Sequence, residues 1–218
     1  SRDRVLAHIA AIVAATDLPI NADFEFGYAG ELDPLMENVR LCTETGVAGL
    51  SIEDNTGNPA SPLFELGLAV ERVRAAKKAI EASGADVLLT ARAECFLVGH
   101  PQPLAESLRR LTAYAEAGAD VLYAPGPKDP EQIRTLVKEL HPKPINLLIG
   151  ADWGVTVAMA ADWGVRRIST GSALSRAAWG GFLRAARKLA SEGSFAGLSD
   201  NAPFAELNGF FQDQHKKK

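Results

Sequence analysis

One pattern recurs along the 218 residues: a helix-period apolar segment, a glycine-bearing turn, then a short apolar run ending in polar or charged residues. The runs are Ile20 to Phe24, Ala48 to Ile52, Val87 to Ala91, Val121 to Tyr123, Ile145 to Leu148 and Arg167 to Ser169. Helical spacing fills the intervals, at Arg2 to Thr16, Leu32 to Thr45, Gly67 to Ser83, Leu104 to Ala117, Pro130 to Leu140, Val155 to Trp163 and Ser172 to Ser191, and Ala202 to Phe211 adds a further helical stretch. Strand and helix alternating at roughly 25–35 residues argue for a parallel sheet built from right-handed crossovers. Ionisable residues at the strand C-terminal ends fit an α/β chain of the (β/α) TIM-barrel type, whose active site is made by the βα loops. Six strands are readable, where such a barrel has eight.

With 47% hydrophobic and 23% charged residues, the chain reads as a single globular domain over 1–218, with 194–218 a C-terminal tail or a swapped helix. No apolar run reaches membrane-spanning length, and a net charge of −4 gives no electrostatic case for nucleic acid or an anionic membrane. Lys216 to Lys218 reads as a solvated basic terminus. Two cysteines, Cys42 and Cys95, are too few for a disulfide framework and point to a reducing, cytoplasmic setting. No signal peptide is visible, and the first residue is Ser1.

The strand tips carry the chemistry. In Asn21-Ala-Asp-Phe-Glu-Phe-Gly-Tyr28, strand alternation would send Asp23 and Glu25 to one face, as oxygen donors of the kind Mg²⁺ prefers, with Tyr28 opening a loop over them. Solvated turns also carry such acids. The second tip ends in Glu53-Asp54 and the third in Arg92-Ala-Glu94. Glu53 to Leu66, rich in Gly, Asn, Pro and Ser, is long for a strand-to-helix connection, as functional lids are, and Cys95 to Pro103 is a second long loop.

Asp-x-Glu-x-Gly-Tyr, Ser-Ile-Glu-Asp, Ala-Arg-x-Glu, Pro-Ile-Asn146 and Gly164-Val-Arg-Arg-Ile-Ser-Thr-Gly-Ser-Ala-Leu174, in this order, resemble the isocitrate lyase/phosphoenolpyruvate mutase superfamily. The resemblance runs from Arg4 to about Gly193. It implies that Asp23 binds Mg²⁺ (or Mn²⁺) most directly, with Glu25 and Glu53 acting through water. It implies that two strands precede Arg2, so that the chain reads as a member without its N-terminal quarter, whether a fragment, a truncated product or an altered version.

Arg92 is the candidate to hold a substrate carboxylate or oxyanion through its planar fork, the alternative being an ion pair with Glu94 or Glu53. Glu94 would orient Arg92 or metal-bound water. Asn146, placed at its strand end, matches a substrate-contacting asparagine of the family. Ser169, Gly171 and Ser172 lie where strand turns into helix and could bind an anion, or Ser172 could simply cap. Tyr28 and His100 could supply a proton, and Trp153, Trp163 and Trp179 read as packing residues.

Asn55 to Pro62 lacks both the Lys-Lys/Arg-Cys-Gly-His loop of the tricarboxylate lyases and the mutase lysine, and Pro125 stands where those lyases present glutamate. The resemblance therefore implies a Mg²⁺-dependent lyase that cleaves a C–C bond of a small 2-oxo or 2-hydroxy carboxylic acid through a metal-stabilised enolate. C–P chemistry on a phosphonate such as phosphonopyruvate and a non-catalytic truncated paralogue are the alternatives. The family's tetramers imply a homo-oligomer, dimer or tetramer, and Phe204, Leu207, Phe210 and Phe211 give the tail an apolar face for it.

Overall fold

The computed structural model describes residues 1–215, so the Lys216 to Lys218 tail lies outside the described residues. The chain clusters into two compact units, Ser1–Ser169 and Thr170 onward. The first runs α1 (Arg2–Ala14), β1 (Asn21–Ala22), α2 (Leu32–Glu44), β2 (Gly49–Glu53), α3 (Leu66–Ser83) and β3 (Leu88–Arg92). It continues with α4 (Pro103–Glu116), β4 (Val121–Tyr123), α5 (Pro130–Glu139), β5 (Ile145–Leu148), α6 (Val157–Asp162) and β6 (Arg167–Ser169). All six strands are parallel in the order β1-β2-β3-β4-β5-β6, and the sheet curls into a half-barrel with β1 and β6 at its edges. The second unit contains α7 (Ala173–Glu192), a 3₁₀ turn (Ala196–Leu198) and α8 (Phe204–His215). Among the described residues no helix is long and apolar enough to cross a membrane.

Side-chain alternation divides the labour of each strand. Leu50 and Ile52, Leu89 and Ala91, Leu122, and Ile145 face the helices within the main buried core, which also takes Leu35, Val39, Val73 and Leu111. A smaller cluster joins Leu147 to Ile133, Ala160, Trp163 and Val165, with Trp153 packed on Trp163 at 6.4 Å between rings. The other face carries Ser51, Glu53, Thr90, Arg92, Tyr123 and Asn146. Pairing sets Glu53 opposite Arg92, Arg92 opposite Tyr123 and Tyr123 opposite Asn146, so four strands contribute one lateral row.

The turns explain why the sequence folds this way locally. In Ala117-Gly-Ala-Asp120, Gly118 takes φ +104° and the Asp120 carboxylate accepts from Leu89 N–H at 2.8 Å and from Lys77 Nζ at 2.9 Å, fixing β3 against β4. Asp129 caps α5 by accepting from Glu131 N–H at 3.0 Å, and Pro130 supplies a first helical residue that needs no donor.

One strand departs from expectation. The run Ile20 to Phe24 forms a ladder only at Asn21–Ala22, because Phe24 starts a turn closed by Gly27 N–H donating to Phe24 C=O at 2.8 Å. Gly27 has φ +73° and stands where a Cβ would meet Leu35 Cδ1 at 2.1 Å, so glycine alone lets the turn lie against α2. Glu25 and Tyr28 also adopt positive φ, +49° and +54°. The alternation expected to pair Asp23 with Glu25 on one strand face therefore fails, since the strand has ended before either residue.

Candidate functional site at the C-terminal ends of the strands

Arg92 is the hub. Its Nε and Nη2 reach Glu94 at 3.0 and 2.8 Å, Nη2 reaches Glu53 at 2.9 Å, and Nη1 reaches Asp23 at 2.9 Å. The guanidinium also lies 5.1 Å from the Tyr123 ring centroid. Of the two alternatives for Arg92, the ion pairs with Glu53 and Glu94 are both present, and Asp23 is a third partner. The acids differ in access: the Asp23 side chain is 71% exposed, against 14% for Glu53 and 4% for Glu94.

Beyond the end of β1, single hydrogen bonds hold the loops in place. Glu53 N–H donates to Glu25 C=O at 2.9 Å, and the Ser51 hydroxyl donates to Asp23 Oδ1 at 3.2 Å. Glu25 is exposed and lies in the turn. Burial, reinforced by Glu25, pushes the Tyr28 phenol up to about 12, so it keeps its proton at neutral pH. Burial also pushes Glu53 up to about 7; Arg92 pulls it down, and Glu94, Asp23 and Glu25 add repulsion. Glu94 is raised for the same first reason, with Arg92 opposing.

Asn146 is the second residue of β5, not its end, and is 2% exposed. Its Nδ2 donates to Ser169 Oγ at 2.9 Å, and the buried Asn146 Oδ1 has no partner. Arg92, Tyr123 and Asn146 thus stand side by side on β3, β4 and β5, with Ser169 of β6 bonded to Asn146. His100 is spent locally, its Nδ1 accepting from Gln102 N–H at 3.2 Å. Ser172 occupies the N-cap position of α7 without a side-chain capping bond. Trp163 is buried, as a packing residue should be, whereas Trp179 is exposed.

The expected lid, Glu53 to Leu66, is a small hairpin. Asn55 bridges Leu63, Thr56 N–H donates to Pro62 C=O at 2.9 Å, and Phe64 N–H donates to Asp54 C=O at 2.9 Å.

The donors suit a hard cation by type, since Asp23, Glu25 and Glu53 all offer carboxylate oxygen. No three acidic, histidine or cysteine side chains gather into a cage among the described residues. A Mg²⁺ ion that retains several waters needs only one or two carboxylates, and the exposed Asp23 meets that lesser demand. Residues that sequence reasoning missed are Ser51, Tyr123, and a group behind the site comprising Asp54, Arg72, Arg110 and Tyr114. The last two lie at i and i+4 on α4, a polar pair on a buried helix face that gives the only sequence signal.

A crystal structure of a lyase/mutase-class protein from Burkholderia cenocepacia J2315 superposes with a TM-score of 0.92 at 40% identity, over 97% of this chain and 76% of that one. The structure of 2,3-dimethylmalate lyase, a PEP mutase/isocitrate lyase superfamily member, gives a TM-score of 0.85 at 26% identity, covering 100% and 76%. Oxaloacetate decarboxylase 2 of Pseudomonas fluorescens is 31% identical over 143 residues, which are 64% of this chain and 47% of that protein. Two of these relatives are thus, by name, a lyase and a decarboxylase. With residues 1–190 matching the phosphoenolpyruvate phosphomutase family, the chain belongs to that family within the isocitrate lyase/phosphoenolpyruvate mutase superfamily.

Proposed function

We propose that the protein is a divalent-metal-dependent lyase acting on a small 2-oxo or 2-hydroxy carboxylic acid and breaking the C–C bond beside the oxygenated carbon. The observation that carries this reading is the row Glu53, Arg92, Tyr123 and Asn146, with Asp23 exposed beside Arg92. Mg²⁺ or Mn²⁺ would be held directly by Asp23, with Glu25 and Glu53 reached through water. When bound, it supplies charge that chelates the acid and offsets the negative charge developing as the bond breaks.

Arg92 is the group for the substrate carboxylate. Glu53 and Glu94 fix the plane of its guanidinium, and Nη1, which now pairs with exposed Asp23, is the edge facing solvent. Asn146 Oδ1, buried and without a partner, has acceptor capacity for a substrate hydroxyl or hydrated carbonyl. The Tyr28 phenol keeps its proton at neutral pH and so is a hydrogen-bond donor at the edge of the site. Glu53, one of the acids that hold Arg92, is the candidate to move a proton by its place in the row.

The hairpin carries neither lysine nor cysteine, which disfavours a phosphoryl clamp and a thiol acid. The chain is proposed to work in a reducing cytoplasm and to assemble as a homo-oligomer through the apolar face of α8.

The deciding experiment is titration of Mg²⁺ with and without oxalate, followed by product analysis with oxaloacetate, malate-type acids and phosphonopyruvate. Expected are metal-dependent oxalate binding that Asp23→Ala abolishes and turnover of a carboxylic acid. Turnover of the phosphonate alone would replace C–C by C–P chemistry, and a folded chain that binds no oxalate would be a non-catalytic scaffold.

A further inference from the structure

Two arginines on neighbouring helices stand behind the site, and both reach its loops. Arg72, on α3, is 1% exposed. Its guanidinium donates to the carbonyls of Gly30 and Ala29, each at 2.9 Å, and of Phe26, tying down the turn that follows Asp23 and Glu25. Arg110, on α4, donates to the Asp54 carboxylate at 3.1 Å and to Phe64 C=O at 2.9 Å. Asp54 in turn accepts from the Tyr114 hydroxyl at 2.6 Å and from Glu94 N–H at 2.9 Å. One helix therefore holds the metal-loop side, and the next holds Glu53-Asp54 together with Arg92 to Glu94.

The two holds meet at one residue. The Arg72 guanidinium lies 4.5 Å from the Phe64 ring centroid, Arg110 takes the Phe64 carbonyl, and Phe64 N–H goes to Asp54 C=O at 2.9 Å. An apolar side chain would fill the place of Arg72 at less electrostatic cost. What a guanidinium adds is direction, because its planar donors face three fixed carbonyls while its face rests on an aromatic ring.

We propose that Phe64 is the joint through which Arg72 and Arg110 keep the Asp23–Gly30 turn and the Glu53-Asp54 and Arg92–Glu94 segments in one relative placement, making all three positioning residues. The functional half of this inference rests on the acid-binding reading of the site; the mechanical half does not.

The test pairs backbone amide exchange with Mg²⁺–oxalate titration on the full chain, for wild type, Phe64→Leu and Phe64→Tyr. In Phe64→Leu, exchange at Gly27 and at Glu94 is expected to rise about tenfold relative to Leu89 in β3, with oxalate bound about tenfold more weakly, as loss of a desolvated cation–π contact allows. Phe64→Tyr keeps the ring and should match wild type in both readouts. Acceleration on one side only, or equal acceleration at Leu89, overturns the joint. Unchanged oxalate affinity beside altered exchange overturns the positioning role. A wild type that takes up no oxalate sinks the reading of the site, and exchange alone then decides the joint. If Phe64→Leu does not fold, Tyr114→Phe removes one bond to Asp54 and must loosen Gly27 as well as Glu94.

Discussion

The two units use apolar residues in opposite ways. In Ser1–Ser169, Leu50, Leu89, Leu111 and Leu122 are fully buried between sheet and helices. In the second unit α7 has no buried residue at all, and Trp179, Phe182, Phe204 and Phe210 are each more than 60% exposed. Apolar exposure on that scale is what an interaction surface presents, and the homo-oligomer proposed above would use it. The first unit thus keeps its apolar residues in a core, while the second leaves them at its surface.

Substitutions should separate them most widely. Leu122→Ala is expected to cost about 2–5 kcal/mol in urea unfolding, because a cavity opens in a close-packed interior. Phe210→Ala on monomeric protein should fall within about 0.5 kcal/mol of wild type, and a loss as large as that of Leu122→Ala would erase the contrast. Association is the next test. Light scattering on the intact chain and on one ending near Gly197 should show a fall in assembly mass without α8, and an unchanged mass would remove α8 from the interface. Thiol chemistry gives a finer contrast: Cys42 and Cys95 are fully buried, and burial pushes them up to about 12 and about 11. A thiol reagent at neutral pH should label neither in the native chain and both in denaturant, whereas native labelling would show the first unit opening. The smallest effect is optical. Acrylamide should quench Trp179 ahead of Trp163, which is 8% exposed, and Trp179→Phe should delete the readily quenched fraction.

Much of the first unit was legible because burial wrote it in the sequence. The intervals Ala48 to Ile52 and Val121 to Tyr123 match β2 and β4 to within a residue at each end, since apolar residues there have only one way to leave water. β1 is shorter than its apolar run: Phe24 satisfies strand propensity, yet the Gly27 turn and its fit against Leu35 end the ladder two residues earlier. Asp23, Glu53, Arg92 and Glu94 are candidates from strand-end position, and the sequence offers Glu53 and Glu94 as ion-pair partners of Arg92; its third partner, Asp23, is not readable there. Their meeting depends on long-range register, as does the convergence of Asp54, Arg110 and Tyr114, which are distant in sequence.

The lateral row of Glu53, Arg92, Tyr123 and Asn146 has a consequence for diversification. Its residues alternate with the very ones that hold the helices, such as Ile52, Ala91, Leu122 and Ile145, so candidate site residues and fasteners occupy opposite sides of the same strands. If the row acts as proposed, a lineage can exchange its members one at a time, and so move between acid substrates, while every fastener stays untouched.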